Sequence, residues 1–376
     1  MVIFGKNGAV AVVNSNRAFA EIDLRALASN VRALKDMIGD AKFMAVVKAD
    51  AYGHGAVECA RAARDAGADW LGVCFIDEAH ELRRAGIEGP ILAWLLSESD
   101  DLVAAIDADI DLSVSSVAEF MRVQDAFAKV GKPMRVHIEL DTGLARAGAA
   151  PYDWEQLFTL ASSVHVVSMW SHLANADTPK SPVYDSQRAE FERALELAAS
   201  VGMAPDIRHM ANSAATLSRP EFHYDMVRVG MALYGVSPMA EQDFPFTLSP
   251  VMTVRAEVAQ VRRVPAGTGV SYGHRYITEQ DTRLALLPLG YADGLPRAGT
   301  NKAPVQLAGN RYTASGTICM DQFVIDIGDA NVNVGDRAML FGSGGPSARD
   351  WADACGTIGY EITTRIGARL AKRFID

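Results

Sequence analysis

The chain has few cysteines, no basic run and no long apolar segment. Only 4 of its 376 residues are cysteine, and Cys59, Cys74, Cys319 and Cys355 lack metal-ligand spacing. We therefore expect reduced thiols, with a Cys59–Cys74 disulfide as the one alternative. No window approaches the about 18 apolar residues of a membrane span, and the N terminus does not resemble a signal peptide. These absences predict a cytoplasmic protein with no membrane association.

The charge balance is acidic. The net charge is -10, and no stretch concentrates lysine or arginine, which argues against a nucleic-acid or anionic-membrane surface. The hydrophobic fraction of 49% and charged fraction of 22% are those of an ordinary globular protein. A length of 376 residues predicts one large domain and a smaller companion. A small-molecule ligand is the expected partner.

Short β-rich apolar runs alternate with longer segments of helical period between residues 23 and 235. This alternation is typical of βα units around a parallel sheet. Eight strands are predicted, at residues 42–48, 69–75, 90–95, 110–115, 134–141, 164–170, 206–211 and 225–235. Helices are predicted between them, in VAEFMRVQDAFAKVG and SQRAEFERALELAASVG, and Asp23 is expected to cap the helix before the first barrel strand.

These units predict an α/β fold, a (β/α)₈ TIM-like barrel over residues 15–240, although an open doubly wound sheet has the same local pattern. Alternating runs such as MTVRAEVAQVRRV and FVIDIG then predict a mainly β C-terminal domain over residues 241–376. Its GSGGPSARD segment lacks the lysine and glycine spacing of a phosphate loop and is predicted to be a turn. Residues 1–14 form an N-terminal extension, for which packing on this domain is one option.

Polar side chains stand at the carboxyl ends of the predicted barrel strands, where βα loops form one mouth. They are Lys48, Tyr52, Arg146, His172, Asn212, Ser213 and Arg228, and the small residue Gly230 leaves its backbone N–H open beside them. Singly, a strand-end lysine is more often a solvated charge, and a lone histidine is more often structural. Their convergence on one mouth instead predicts a pocket for an anion and a carbonyl-derived adduct.

The motifs at these positions resemble a known family. In order along the chain they are AVVKADAYGHG, LDTGLARAG, WSHLANAD, MVRVGMALYG, GVSYGHRY, GYADGLPR, GTICMDQF and TIGYE. Together they resemble alanine racemase, a fold-type III pyridoxal 5'-phosphate enzyme, from about residue 20 to the end. The resemblance implies a barrel with a C-terminal β domain, and a homodimer whose subunits share their active sites.

The resemblance further implies two catalytic bases. Lys48 would hold the cofactor covalently and then exchange the Cα proton of D-alanine. A lysine amine is nucleophilic only when neutral, which burial and neighbouring cations favour. Racemisation needs a base on the opposite face of the planar carbanion, and the resemblance assigns this to Tyr272 of the partner subunit. The product D-alanine would supply peptidoglycan synthesis.

Other positions receive roles by the same resemblance. Arg228 would face the pyridine nitrogen, and His172 with Arg228 would stabilise the tyrosine phenolate. Arg146 would contact the cofactor phenol oxygen and the substrate carboxylate. The phosphate would lie among Tyr52, Asn212, Ser213, Gly230, Met231 and Tyr360, while Met320 would bind the substrate carboxylate and Tyr291 would narrow the entrance. For the aromatic and methionine positions, core or interface packing is the alternative.

Glu139 departs from the family pattern, because many relatives carry a lysine there, carbamylated in some. In MRVHIELD it shares one strand face with Arg135 and His137. If that face points into the barrel, Glu139 needs a cationic partner, and Arg146 is the expected one. The alternative functions are a broader small amino-acid racemase acting on serine, a non-catalytic pyridoxal-phosphate-binding barrel, and a decarboxylase on a similar barrel.

Overall fold

A computed structural model describes residues 17–178, 180–239 and 246–376. The chain divides into two compact units, one of residues 27–248 and one that joins residues up to 26 with 249–376. The predicted extension at residues 1–14 lies outside the described residues, as does part of the connector predicted after residue 235. Among the described residues, no helix is long and apolar enough to cross a membrane.

The first strand, β1 (Ala18–Asp23), pairs antiparallel with one strand of the β unit and parallel with another. The sequence placed residues 15–240 in the barrel, but these hydrogen bonds make Ala18–Asp23 part of the β sheet. Asp23 ends the strand and its carboxylate accepts from the amide of Ala26 at 2.9 Å, which caps the helix Leu24–Ile38 as predicted.

Eight parallel strands form the barrel sheet, in the order β8-β7-β6-β5-β4-β3-β2-β9. They are β2 (Lys42–Val46), β3 (Trp70–Val73), β4 (Ile91–Ala93), β5 (Ile110–Val114), β6 (Arg135–Leu140), β7 (His165–Ser171), β8 (Ile207–His209) and β9 (Met226–Val229). The amide of Asp225 donates to Arg208 and that of Arg228 to Ala211, which closes the sheet between β8 and β9. The predicted barrel is confirmed, and an open doubly wound sheet is excluded.

Helices connect the strands and cover the outside of the barrel. Besides Leu24–Ile38 they are Ala56–Asp65, Ile76–Arg84, Leu102–Asp107, Val117–Val130, Trp154–Ala161, Pro182–Ser200 and Ser213–Ser218. The helix Val117–Val130 ends before Gly131, whose φ of 74° provides the left-handed C-cap. The helix predicted from Ser186 begins at Pro182 instead, because Ser181 caps it and proline suits the first helical position.

The second unit is mainly β, as predicted. Its strands are β10 (Met252–Glu257), β11 (Gln260–Val264), β12 (Gly269–Val270), β13 (Tyr276–Ile277), β14 (Thr282–Leu287), β15 (Pro304–Leu307), β16 (Asn310–Thr313), β17 (Phe323–Asp326), β18 (Arg337–Phe341) and β19 (Ala371–Ile375). They form a six-stranded sheet, β16-β15-β18-β10-β1-β19, a three-stranded sheet, β11-β14-β17, and the pair β12-β13. Short helices occupy Ala348–Cys355 and Gly359–Thr364.

Two smaller sequence predictions are also met. The GSGGPSARD segment is a turn that leads into the helix Ala348–Cys355, with Ser347 as N-cap. None of the four cysteines forms a disulfide, so the Cys59–Cys74 alternative is excluded in this structure.

Candidate active site

Lys48 lies two residues beyond β2, at the carboxyl-end mouth of the barrel. It is half-buried, and its Nζ lies 5.7 Å from the ring centroid of Trp94, which follows β4. The aromatic face stabilises the cation there. The ammonium group that follows this buried strand therefore lies beside an indole rather than in bulk water.

The segment after Lys48 turns left-handed. Ala49, Asp50, Ala51 and Tyr52 all have φ between 52° and 55°, a conformation that costs each L-residue about 1–2 kcal/mol. The Glu78 carboxylate accepts from the Ala49 amide at 2.6 Å, and the Asp50 carboxylate accepts from the Ala56 amide at 2.8 Å. Strain of this kind concentrates at functional sites, and here it carries the chain from Lys48 to Tyr52.

Tyr52 packs against the backbone of Gly230. A β-carbon at position 230 would overlap the tyrosine hydroxyl, so any larger residue would require Tyr52 to move. The Ser213 hydroxyl accepts from the Gly230 amide at 2.9 Å and from the Ala232 amide at 3.4 Å. These contacts bring the predicted phosphate residues Tyr52, Ser213 and Gly230 together. Asn212 caps the helix Ser213–Ser218 by accepting from the Ala214 and Ala215 amides, and Met231 opens the 3₁₀ turn Met231–Tyr234.

Arg228 is held by acceptors on both terminal nitrogens. One nitrogen donates to His209 Nδ1 at 2.9 Å and to the His209 carbonyl at 3.1 Å. The other donates to the carbonyls of Ser171 at 2.7 Å and Met210 at 3.2 Å. Its Nε has no hydrogen-bond partner among the described residues. Burial lowers the pKa of Arg228 to about 10, so the guanidinium stays charged at neutral pH.

His172 lies just after β7, next to Arg228. Burial, followed by the positive charges of Arg228, Arg146 and Lys48, lowers the pKa of its imidazole to about 3. These three strand-end cations therefore lie close enough to His172 for their charges to act on its ring. Because its Nδ1 lies 3.4 Å from an Arg228 nitrogen that can only donate, the neutral ring carries its proton on Nε2.

Glu139 is buried inside the barrel, as the strand pattern predicted. No ion pair within 4.0 Å joins it to any described residue, so its interaction with the expected partner Arg146 is through space only. The Ser115 hydroxyl instead donates to Glu139 Oε2 at 3.1 Å. Burial raises the pKa of Glu139 to about 7, opposed by the Ser115 hydrogen bond and by the charges of Arg228 and Arg146.

Arg146 is exposed in the loop after β6 and makes no hydrogen bond within the described chain. The loop itself is well held. The Asp141 carboxylate accepts from the amides of Gly143, Leu144 and Ala145 at 2.9 to 3.1 Å. A β-carbon at Gly148 would clash with the Asp141 backbone. The acidic residue and glycine of LDTGLARAG therefore shape the loop and leave the arginine available to a ligand.

The other predicted residues belong to the β unit. Tyr272 is 74% exposed, Met320 52% and Tyr291 41%. Ser271 has a φ of 61°, and its hydroxyl donates to the Thr317 carbonyl at 2.7 Å. The Tyr291 amide donates to the Cys319 carbonyl at 3.0 Å, and a side chain at Gly290 would clash with that backbone. Tyr360 is half-buried in the helix Gly359–Thr364.

The Tyr272 turn borders a cavity of about 600 Å³ within the β unit. Its lining includes Leu284, Leu286 and Val324 of the three-stranded sheet, together with polar residues such as Arg262. The cavity therefore places an exposed phenol beside apolar surface.

Sequence reasoning missed several residues of the barrel site. Trp94, Trp170, His209 and Ser115 contact the predicted residues but were not singled out. Trp94 and Ser115 directly follow strands, as His172 does, so the strand-end rule could have found them. No group of three or more histidine, cysteine or acidic residues is placed to hold a metal in the described part of the chain.

Comparison with known proteins agrees with this architecture. The family model described as "Alanine racemase, N-terminal domain" matches residues 22–238, and "Alanine racemase, C-terminal domain" matches residues 251–374. The alanine racemase of Salinispora arenicola is 51% identical over 96% of this chain and 98% of its own. That of Frankia casuarinae is 48% identical over 96% and 97%.

Solved structures agree as well. The crystal structure of alanine racemase from Streptomyces lavendulae has a TM-score of 0.94 at 47% identity, covering 96% of this chain and 98% of its own. That from Streptomyces coelicolor has a TM-score of 0.93 at 46% identity, with the same coverage.

The protein belongs to the class of two-unit proteins that combine a TIM-like barrel with a separate, mainly β unit. Its cationic residues lie at the carboxyl-end mouth of the barrel. Within that class, the chain belongs to the alanine racemase family.

Proposed function

We propose that this protein interconverts L-alanine and D-alanine with pyridoxal 5'-phosphate, using Lys48 and Tyr272 of a partner subunit as the two bases. The observation that carries the proposal is the single barrel mouth where Lys48, His172 and Arg228 gather beside the Tyr52–Gly230 contact. Family membership over nearly the whole chain supports the same reaction.

The described residues fit the cofactor. The hydroxyls of Tyr52 and Ser213 lie together beside the Gly230 backbone and would donate hydrogen bonds to a phosphate group. The Nε of Arg228, its one unpartnered donor, would face the pyridine nitrogen. Arginine hardly surrenders its proton, so that nitrogen would stay unprotonated and side reactions such as transamination would be disfavoured. When bound, the cofactor delocalises negative charge from the substrate Cα.

Lys48 would attach the cofactor and, once displaced by the substrate amine, would move the Cα proton on the D-alanine face. The left-handed turn fixes where Lys48 leaves the strand. Arg146, which has no internal partner, would bind the substrate carboxylate through its planar fork. Lys48 would thus transfer the proton, and Arg146 would position the substrate.

Tyr272 would serve the L-alanine face from a second subunit. Its exposed phenol sits on a turn pinned by hydrogen bonds from Ser271 to Thr317 and from Thr317 to the Tyr272 carbonyl, the latter at 2.8 Å. A rigid, exposed aromatic group favours contact with another chain. The neutral His172 would donate its Nε2 proton to the phenolate oxygen, and Arg228 would add its charge. Exposed Met320 and Tyr291 would belong to the same interface, and Tyr360 would complete the phosphate site.

The physiological consequence is a cytoplasmic supply of D-alanine for peptidoglycan. The proposal is tested with purified protein and added cofactor by comparing kcat/KM for alanine, serine, lysine and arginine. Alanine should be preferred, because Tyr291 and Tyr360 are bulky. Equal rates with serine would instead indicate a broader racemase. Binding of cofactor through Lys48 without Cα-proton exchange would indicate a non-catalytic carrier.

A further inference from the structure

A row of buried polar side chains continues inward from Arg228, and the proposed reaction does not use it. His209 Nε2 lies 3.0 Å from the Ser168 hydroxyl, and the same hydroxyl lies 2.7 Å from His137 Nδ1. His137, Ser168 and His209 are 0% exposed. Together with the 2.9 Å contact from Arg228 to His209 Nδ1, they form one unbroken chain across β6, β7, β8 and β9.

The chemistry of arginine fixes the direction of donation along this chain. A guanidinium has only donors, so His209 Nδ1 must accept and the ring carries its proton on Nε2. His209 Nε2–H then donates to Ser168, whose own proton is left for His137 Nδ1. His137 in turn is protonated on Nε2, an atom with no hydrogen-bond partner among the described residues. Burial lowers the pKa of both imidazoles, that of His137 to about 3, which keeps both rings neutral.

Aromatic packing holds the same geometry. The His209 ring stacks on Trp170 with 5.7 Å between centroids and 4° between planes. The Arg228 guanidinium lies 4.7 Å from the Trp170 centroid, and the Trp170 indole donates to Ser113 at 2.8 Å. His209 therefore cannot easily turn its ring away, and its tautomer decides whether it attracts or repels Arg228.

We propose that Ser168, acting through His209 and ending on His137, is a positioning residue for Arg228. By accepting from Nε2–H, Ser168 keeps His209 Nδ1 free to accept from the guanidinium. The terminal nitrogens of Arg228 then remain occupied, and Nε alone is presented to the mouth. Without Ser168, His209 can place its proton on Nδ1, where it would oppose an Arg228 donor across 2.9 Å. The effect of Ser168 on catalysis rests on the proposed function, whereas the assignment of the His209 tautomer does not.

The test uses holoenzyme labelled with ¹⁵N-histidine, in the wild type and in Ser168→Ala and Ser168→Thr. Side-chain NMR assigns the protonated nitrogen of His209 and His137, and alanine racemisation gives kcat and KM. In the wild type both rings should carry the proton on Nε2. Ser168→Ala should mix the His209 tautomers and lower kcat about tenfold with little change in KM, as expected for one lost buried hydrogen bond. Ser168→Thr keeps the hydroxyl and should restore both properties.

A wild-type His209 protonated on Nδ1, or doubly protonated, would overturn the proposal even if no variant folds. So would a Ser168→Ala protein with an unchanged His209 tautomer and unchanged kcat. If the wild type fails to racemise alanine while showing the expected tautomers, the positioning chain stands and the proposed function fails.

Discussion

The phenol of Tyr52 occupies the space that a side chain at residue 230 would need. Because the tyrosine ring is buried and follows a strained turn, it cannot move aside at low cost. The close approach therefore links the loop after the first barrel strand to the backbone after the last one, at the proposed phosphate site.

Gly230→Ala tests this contact. The added methyl group should displace Tyr52 and weaken cofactor binding about tenfold or more, a loss typical of overpacking by about 1–3 kcal/mol. Equilibrium dialysis of the cofactor measures the effect. Gly367→Ala is the matched control, because its β-carbon would meet only one atom, at 3.8 Å. Equal cofactor affinity in both variants would show that the contact is unimportant.

Lys48→Ala should abolish covalent attachment of the cofactor and racemisation together. Borohydride reduction followed by peptide mapping identifies the modified lysine. Lys42→Ala is the control, since Lys42 lies exposed at the opposite end of the same strand. Tyr272→Phe should keep the attachment and lose activity. A labelled peptide in the Lys48→Ala protein would contradict the assignment.

Glu139→Gln tests the buried carboxyl near Arg146. The folded-state pKa of Glu139 is about 7, raised from 4.5 by burial. Below pH 4.5 the Glu139 carboxyl is protonated in both the folded and the unfolded chain, and the folded state keeps its full stability. As the pH rises from 4.5 toward 7, only the unfolded chain ionises at this position, so the free energy of unfolding falls. Relative to the variant, the wild type should lose up to about 3 kcal/mol of unfolding free energy between pH 5 and pH 8. Urea titrations at both pH values measure this difference.

The same substitution should raise the KM for alanine at pH 8, where Glu139 is ionised and its field holds Arg146. At pH 6 the protonated glutamic acid and glutamine are both neutral, so their KM values should agree. A KM ratio that does not change with pH would show that the charge of Glu139 has no role in binding substrate.

Asp293 anchors the segment that carries Tyr291. Its buried carboxylate accepts from the Gly290 amide at 2.9 Å and lies 3.2 Å from Arg17 and 3.5 Å from Arg369. Asp293→Ala should lower the free energy of unfolding by about 3 kcal/mol, because it leaves these groups without their acceptor. Asp321→Ala removes an exposed partner of the same Arg369 and should cost less than about 1 kcal/mol. Similar values for both variants would refute the anchoring role.

Local sequence patterns predicted the eight barrel strands and the position of Lys48, because strand period and strand ends depend on neighbours in sequence. The left-handed turn Ala49–Tyr52 could not be predicted from local sequence, because it contains no glycine and is stabilised by Glu78, which is distant in sequence. The acceptors around Arg228 likewise come from two other strand ends. Strand β1 joins the β unit through pairing with β10, more than two hundred residues away.

The two-base account is tested most directly by Cα-proton exchange in deuterated water, followed by NMR for each alanine enantiomer. Wild-type holoenzyme should exchange and racemise both enantiomers. Tyr272→Phe should lose exchange from L-alanine about 10²- to 10⁴-fold, the range for loss of a general base, yet still exchange the proton of D-alanine through Lys48. Equal exchange of both enantiomers by Tyr272→Phe, or undiminished racemisation, would contradict the account.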